Sequence, residues 1–551
     1  MKVLSVHPSD NVLVALSPID AGEQISYEGN QYQMVVPVPG KHKFVTQDLQ
    51  PGDPLIMYGV MVGKAKRPIA KGEWISVENV AHATSQYGTK RGKFTWEPPD
   101  VSRWEGREFM GYKRSDGQVG TLNNWLIIPL VFCENRNVQI LREAFEKELG
   151  YAQPDLYRQS VRELVDQYTS GKSIAHMPHQ AVVDQERSSS GDASSRVFPF
   201  LDGIKFLTHE GGCGGTREDA QSLCSLLAGY LHHPNVAGAT VLSLGCQNAQ
   251  INMLQEEIEK KNPDFDKPLL IFEQQRGGSE TTLMKQVIRE TFLGLMQANE
   301  RRRTPAPLSA LTLGMECGGS DGFSGISANP TLGQAADYLV ALGGKVILSE
   351  FPELCGVEQE LINRCISDHE AERFAQLMRT YQHQAEAVGS GFDMNPSPGN
   401  IKDGLITDGI KSAGAAKKGG TSPVRQVLGY PEYATEAGLS LLCTPGNDVE
   451  STTGLAGAGA NIILFTTGLG TPTGNPIAPV VKVSSNSQLA QRMPDIIDFN
   501  TGPIITGEES IERMGEKLLD YVIDLASGTV RTHAQRLGQD DFIPWKRGVS
   551  L

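Results

Sequence analysis

The hydrophobic positions along this chain change their period twice. From Met1 to about Tyr87, apolar residues gather in short strand-like runs: VLSVHP, NVLVAL, QYQMVVPV, LIMYGVMVG and EWISVENV. A Gly or Pro turn breaks them about every 8 to 12 residues, which predicts a small β-rich unit. The stretch from Gly88 to about Arg107 is polar, carries Pro98 and Pro99 side by side and has no period, so it reads as a linker. Beyond it, apolar strands alternate with helical stretches. NNWLIIPLVF precedes RNVQILREAFEKELG, and GATVLSLGC precedes NAQINMLQEEIEKK. That order predicts parallel strands joined by crossover helices. The charged, proline-bearing segment Ala298 to Ser309 marks a second boundary. After it, strands KVILSE, LSLLCT, NIILFTTG and PVVKV, with helices near Glu358 to Ala387 and Glu508 to Ser527, predict another α/β unit. The polar, Ser-rich run from Gln180 to Ser195 reads as an exposed insertion. The expected architecture is α/β: a β-rich N-terminal domain over 1–95, then two α/β domains over 105–298 and 308–551 with mostly parallel sheets.

Composition narrows the function classes. The 551 residues carry 50 Lys+Arg against 64 Asp+Glu, a net charge of −14, with no long basic run. Nucleic acid and anionic membrane surfaces are therefore not expected partners. The most apolar stretch, Trp125 to Phe132, is far short of the ~20 residues a membrane span needs. MKVLSVHPSDN has no apolar leader, so a cytoplasmic location is expected. Eight cysteines with no CxxC pair argue against a disulfide framework or a zinc ribbon.

Candidate chemistry concentrates in five turns where small and polar residues follow a strand: Thr208–Thr216, Ser243–Gln250, Met315–Pro330, Met394–Asn400 and Phe465–Pro476. Ligands of open α/β sheets bind where such turns meet. Three of them hold a cysteine beside glycines, Cys213, Cys246 and Cys317, and His209 lies four residues before Cys213. Thiolates and imidazole are suitable ligands for iron or zinc. Ser320, Asn329, Asn395, Ser397, Asn400, Thr467 and Thr471 supply hydroxyls and amides suited to a polyol, and Asp321 stands among them as a carboxyl. Lys411 sits in GIKSAGAAKKGG, where a desolvated amine with a lowered pKa could act as a base. His7 and His42 occupy two turns of the β-rich unit and complete the acid–base candidates. GLGTPTG from Gly468 has glycines spaced GxGxxxG and no acidic partner, and no GxxxxGK[ST] occurs, so neither NAD nor a nucleotide is expected.

Taken together these strings resemble a known family. HPSDNVLVAL, GKHKF and DLQPGDPLIMYG are similar to the SAF-type N-terminal domain of the altronate and galactarate dehydratases. GYKRSDGQVGT, THEGGCGG, HPNVAG and SLGCQ are similar to their second domain. ECGGSDGFSGISANPTLG, NPSPGN, TPGNDVESTTGLAGAG and FTTGLGTPTG are similar to their C-terminal domain. TPGND, STTGLAGAGANIILF and the ending WKRGVSL look closer to the altronate than to the galactarate branch. Three positions depart from the family pattern: Gln247 where it has Glu, Leu469 where it has Arg, and Met57 where it has Lys. The resemblance implies dehydration of a hexonate, D-altronate, to a 2-keto-3-deoxy acid by C2 proton abstraction and loss of the C3 hydroxyl. It implies iron(II), with manganese(II) as the variant, no flavin or nicotinamide, and a homodimer. Galactarate dehydration and a carbon–sulfur lyase activity are the alternatives within the family. A non-catalytic sugar-acid sensor is the reading outside it.

Overall fold

The computed structural model describes residues 2–152, 156–171 and 196–550. The stretch expected to be an exposed insertion, 180–195, lies outside the described residues. The N-terminal unit is wholly β. Strands β1 (Val3–Leu4) and β2 (Val12–Ala15) pair antiparallel, β3 (Gln24–Tyr27) and β4 (Asn30–Gln33) form a hairpin, and β5 (Lys43–Val45) joins β2. Strands β6 (Pro54–Met57), β7 (Val60–Ala65) and β8 (Val80–Ala81) make a third small sheet. The apolar run LIMYGVMVG is thus two strands, because Tyr58 and Gly59 turn left-handed (φ +57° and +78°), as a tight hairpin requires.

The linker carries no strand but is not detached. Its short helical turn Ser102–Trp104 buries Trp104 against Tyr338, with ring centroids 5.0 Å apart, and the indole N–H donates to Asp520. Strand β9 (Glu108–Lys113) then pairs with β10 (Val119–Gly120) and with β15 (Thr304–Pro307), Thr304 lying opposite Gly111. The proline-bearing boundary segment therefore contains a strand.

Between these lies a four-stranded parallel sheet of β11 (Asn124–Pro129), β12 (Gly203–Phe206), β13 (Val236–Ser243) and β14 (Leu269–Glu273), ordered β12-β11-β13-β14. The C-terminal unit holds seven parallel strands: β16 (Thr312–Cys317), β17 (Lys345–Leu348), β18 (Val424–Leu428), β19 (Gly438–Leu442), β20 (Ile462–Thr467), β21 (Val480–Ser484) and β22 (Phe499–Asn500). Their order is β18-β19-β17-β16-β20-β21-β22. The central strands β16 and β20 are buried along their whole length, as expected where helices cover both faces of a sheet. The helix expected over Glu358 to Ala387 is two, Glu358–Arg364 and Asp368–Ala387, because Ser367 caps the second by accepting from the Glu370 N–H. Among the described residues no helix is long and apolar enough to cross a membrane.

The strand order fixes where a ligand can enter. The chain leaves β16 toward β17 on one side and returns to β20 on the other, so a crevice opens beyond the carboxyl ends of β16 and β20.

Candidate active site

Strand β16 delivers Glu316 and Cys317 to that crevice, and β17 is followed by Ser349, Glu350 and Glu353. Glu350 adopts a left-handed backbone (φ +64°), costly for a residue with a Cβ, and is buried. It is held there by its N–H donating to the Thr444 hydroxyl at 2.8 Å, while its carboxylate accepts from the Cys317 N–H at 3.1 Å. The Cys317 thiol donates to Glu353 Oε2 (2.9 Å). Lys418 Nζ lies 2.8 Å from the Cys317 sulfur and 2.6 Å from Glu350 Oε2. Lys411 Nζ pairs with Glu353 Oε1 at 2.6 Å and donates to Asn395 Oδ1, whose amide N–H reaches Asp408. Glu316 takes the hydroxyls of Ser349 and Ser451. The Oε1 atoms of Glu316 and Glu350 are buried with no hydrogen-bond partner.

Carboxyls outnumber ammoniums here, and the protonation states follow. Burial and the Glu350 charge push Glu316 well above the usual carboxylate range, so it keeps its proton. Burial and Glu353 raise Glu350 as well. Burial also acts upward on Glu353, but Lys411 and Lys418 overcome it and hold that carboxyl down. Burial works to neutralise Lys411, yet Glu353 and Cys317 hold its pKa above the ordinary lysine value. This corrects the sequence reading: Lys411 is a fixed cation and cannot serve as a base with a lowered pKa. Asp448 lies part-buried at the mouth, where burial, Glu350 and Glu353 push it up to about 7. Gly318 is obligatory beneath it, since a Cβ there would stand 2.1 Å from Asp448 Oδ2.

The polyol candidates divide. Asn395, Thr467 and Thr471 border this cluster: Gly319 lies within 3.3 Å of both threonine hydroxyls, counted from where its Cβ would stand, and the Thr467 hydroxyl accepts from the Gly470 N–H. Ser397 is exposed and caps the short helix Pro398–Lys402, while Asn400 closes that cap and donates to the Ser320 carbonyl. Asn329 is consumed structurally, accepting from Thr466 and donating to the Gly414 carbonyl. Asp321 is fully buried and saturated by Ser324, Ser485, Asn486 and, at 3.0 Å, Lys41 of the N-terminal unit. It anchors the loop rather than facing a ligand. Leu469 stands beside Gly319 and Gly399 at the mouth, Met57 is core, and Gln247 bonds within its own turn.

Of the two histidine candidates of the β-rich unit, His42 is corrected. The His42 ring is buried, its Nδ1 accepts from the Trp74 indole (3.1 Å) and its Nε2 bonds the Lys402 carbonyl (2.9 Å), so no lone pair remains for a base. With Lys41 on Asp403 and Lys43 on the Gly404 carbonyl, His42 docks the β-rich unit on the loop that follows Asn400. His7 is exposed and its Nδ1 bonds the Ser9 hydroxyl of its own turn.

The proposed four-residue metal set is not assembled either. Among the described residues, Cys317 clusters with Glu350 and Glu353, not with the other three. His209 is buried with both nitrogens engaged, Nδ1 accepting from the Gly211 N–H and Nε2 bonding the Pro129 carbonyl. Burial lowers its pKa to about 4. Cys213 lines a separate cavity of about 530 Å³ between the second unit and residues Phe542–Lys546. Cys246 is exposed in the neighbouring turn, with the Gln275 amide donating to its sulfur.

Glu350, Glu353, Lys418 and Asp448 escaped the sequence reading. One signal was available: two acids three apart in SEFPELCG, placed among apolar residues directly after a buried strand. Glu316 and Asp448 lie inside motifs already singled out for other reasons.

Buried acids set against two fixed ammoniums, at the switch point of a parallel sheet, make an acid–base enzyme site. Residues 308–550 match the D-galactarate/Altronate dehydratase C-terminal family, 111–299 the second domain of D-galactarate dehydratase/Altronate hydrolase, and 1–83 the Altronate/galactarate dehydratase SAF domain. The chain is 32% identical over 550 residues to an altronate dehydratase of Bacillus subtilis (strain 168), covering 100% of this chain and 99% of that one. It is 30% identical over 551 residues to the altronate dehydratase of Escherichia coli (strain K12), covering all of both. Against the galactarate dehydratase (L-threo-forming) of the same organism the identity is 28% over 539 residues, 97% of this chain and 94% of that one. The chain belongs to the altronate/galactarate dehydratase family of enzymes.

Proposed function

We propose that this enzyme removes water from D-altronate to give 2-dehydro-3-deoxy-D-gluconate. The observation that carries the reading is the pairing of Lys411, a cation fixed by Glu353, with Asp448, a carboxyl poised near neutrality at the mouth of the same site. Dehydration needs a base for the weakly acidic C2 hydrogen and positive charge where the enediolate forms. Ionised Asp448 takes the C2 proton. Lys411 faces the substrate carboxylate and stabilises the charge that develops on it. Asp448, now protonated, returns that proton to the departing C3 hydroxyl, the C3–O bond breaks and water leaves. The resulting enol takes a proton at C3 as it becomes the ketone. The sequence is redox-neutral, so no nicotinamide or flavin enters it.

A divalent cation of the iron(II) or manganese(II) kind belongs to the same reading. Cys317, Glu350 and Glu353 would hold it, for their ligand atoms lie within 4.8 Å of one another and Glu350 Oε1 is unpartnered. When bound it would supply Lewis-acid stabilisation of the enediolate. Preference for a monoacid is supported by Leu469 at the mouth, where an arginine would clamp a second carboxylate. A homodimer completes the proposal and rests on the family resemblance alone.

The test incubates the iron-reconstituted protein with aldonates, aldarates and a sulfonated hydroxy acid, and detects 2-keto-3-deoxy acids and sulfite. Fastest turnover on D-altronate is expected. Faster turnover of galactarate, or release of sulfite, would overturn the assignment.

A further inference from the structure

A second group of ligating side chains lies outside the site just described. His82 follows β8 near the end of the β-rich unit, Cys355 ends the turn Phe351–Leu354, and Asp408 opens the helix Asp408–Ala415. One ligand atom from each lies within 4.8 Å of the others. Two of these side chains carry an atom that is buried and without a hydrogen-bond partner, His82 Nδ1 and Asp408 Oδ2. Asp408 is fully buried, and its other oxygen is already taken by Asn395 and Ser412. An orphaned carboxylate oxygen beside an orphaned imidazole nitrogen is costly in a folded protein unless something shared sits between them.

We propose that His82, Cys355 and Asp408 form a second metal site, selective for a zinc-class divalent ion and separate from the catalytic cluster. Nitrogen, sulfur and carboxylate oxygen together are the donor set of such ions and not of magnesium or calcium. Tetrahedral coordination with bonds of about 2.0–2.3 Å places one sulfur and two N/O ligand atoms about 3.3–3.6 Å apart, so a contraction of about 1.5 Å at most closes the site. A cleft of about 770 Å³ lined by His82, Thr84, Cys355, Glu358 and Asp393 brings solvent to the fourth position. The ion ties the β-rich unit to the C-terminal unit. Through the Asp408–Asn395–Lys411 hydrogen bonds it also fixes the catalytic ammonium, which makes these three positioning residues and not catalytic ones.

The test uses full-length protein carrying Cys317→Ser, so that the catalytic thiol cannot contribute, stripped of metal and titrated with cobalt(II). One equivalent should produce a thiolate-to-cobalt charge-transfer band in the near ultraviolet, with visible bands of tetrahedral intensity. Adding Cys355→Ser should abolish the charge-transfer band. Separately, His82→Ala, at a part-exposed position that leaves the core intact, should weaken zinc binding at least about tenfold in competition with a chromophoric chelator, the lower bound for loss of even an outer-shell partner. The proposal is overturned if no thiolate band forms, if the band survives Cys355→Ser, or if His82→Ala binds zinc as tightly as its parent. None of these outcomes depends on turnover, so they stand apart from the dehydratase assignment.

Discussion

Replacing Asp448 with asparagine should make the protein more stable and less active, with a pH signature that separates the two effects. Burial and the Glu350 and Glu353 carboxylates raise Asp448 from 3.8 to about 7. Below pH 3.8 the acid is protonated in both folded and unfolded chains and contributes nothing. Between 3.8 and about 7 the unfolded chain is ionised while the folded one keeps its proton, so stability falls as pH rises through that window. Above 7 the whole penalty is present. A shift of about three units at 1.36 kcal/mol each is roughly 4 kcal/mol, an upper figure because the carboxyl is part-exposed. For a cooperative unit of about 240 residues, an unfolding entropy of about 2.1 cal/mol/K per residue converts this to a gain of about 8 °C at pH 8 and about 3 °C at pH 5. Turnover should fall by about 10²–10⁴, the usual contribution of a positioned general base. Scanning calorimetry of wild type and Asp448→Asn from pH 5 to 8, with steady-state kinetics on the same samples, measures both. A melting difference independent of pH, or a variant with wild-type kcat, would refute the argument.

Three further outcomes follow from the site. Chelation should abolish turnover and iron(II) under reducing conditions should restore it, while Cys317→Ser should lower both metal content by elemental analysis and rate; a metal-free sample with full activity would remove the Lewis acid. His42→Ala should leave the pH dependence of kcat unchanged and cost about 1–3 kcal/mol through its two orphaned partners, read as a lower melting temperature; a displaced kinetic pKa would restore it as an acid–base group. Lys41→Ala frees Asp321 and Asp403 at once and should raise KM more than it lowers kcat, because it loosens the loop on which Ser320 sits; equal loss in both would place Lys41 at the reacting atoms.

Architecture was legible where periodicity carries it. The turn-divided runs of the N-terminal unit and the largely apolar strands β17, β19 and β20 can be read without coordinates, since a parallel sheet covered on both faces leaves its strands no solvent side. The hairpin hidden in LIMYGVMVG was not, since Tyr58 takes the left-handed conformation usually left to glycine or asparagine. The glycine-rich turns singled out in the sequence do follow β16 and β20, because close backbone approach is written in missing side chains. What the turns do not encode is which cysteine or histidine has a free valence. His42 and His209 look alike in sequence to catalytic imidazoles, and only their hydrogen bonds to backbone carbonyls retire them. Glu350 and Glu353 meet Lys411 and Lys418 across some sixty residues of chain, a distance over which residue types give no hint of contact.

The pairing of β9 with β15 has a consequence for how the molecule is put together. Thr304 lies opposite Gly111 and Pro307 opposite Glu108, so everything threaded between them leaves and rejoins the frame through neighbouring antiparallel strands. Nearly two hundred residues leave and return through this narrow stem, yet they do not hang free of the frame: Leu226, Leu227 and Tyr230 share one buried core with Leu455, Ile463 and Phe465. Added length in that cassette is cheap in loop entropy, but a change in its inner helix Arg217–His232 is felt by β20, whose Phe465 lies opposite Glu316. Variation in the middle of this chain is therefore absorbed on its outer face and transmitted to the chemistry through its inner one.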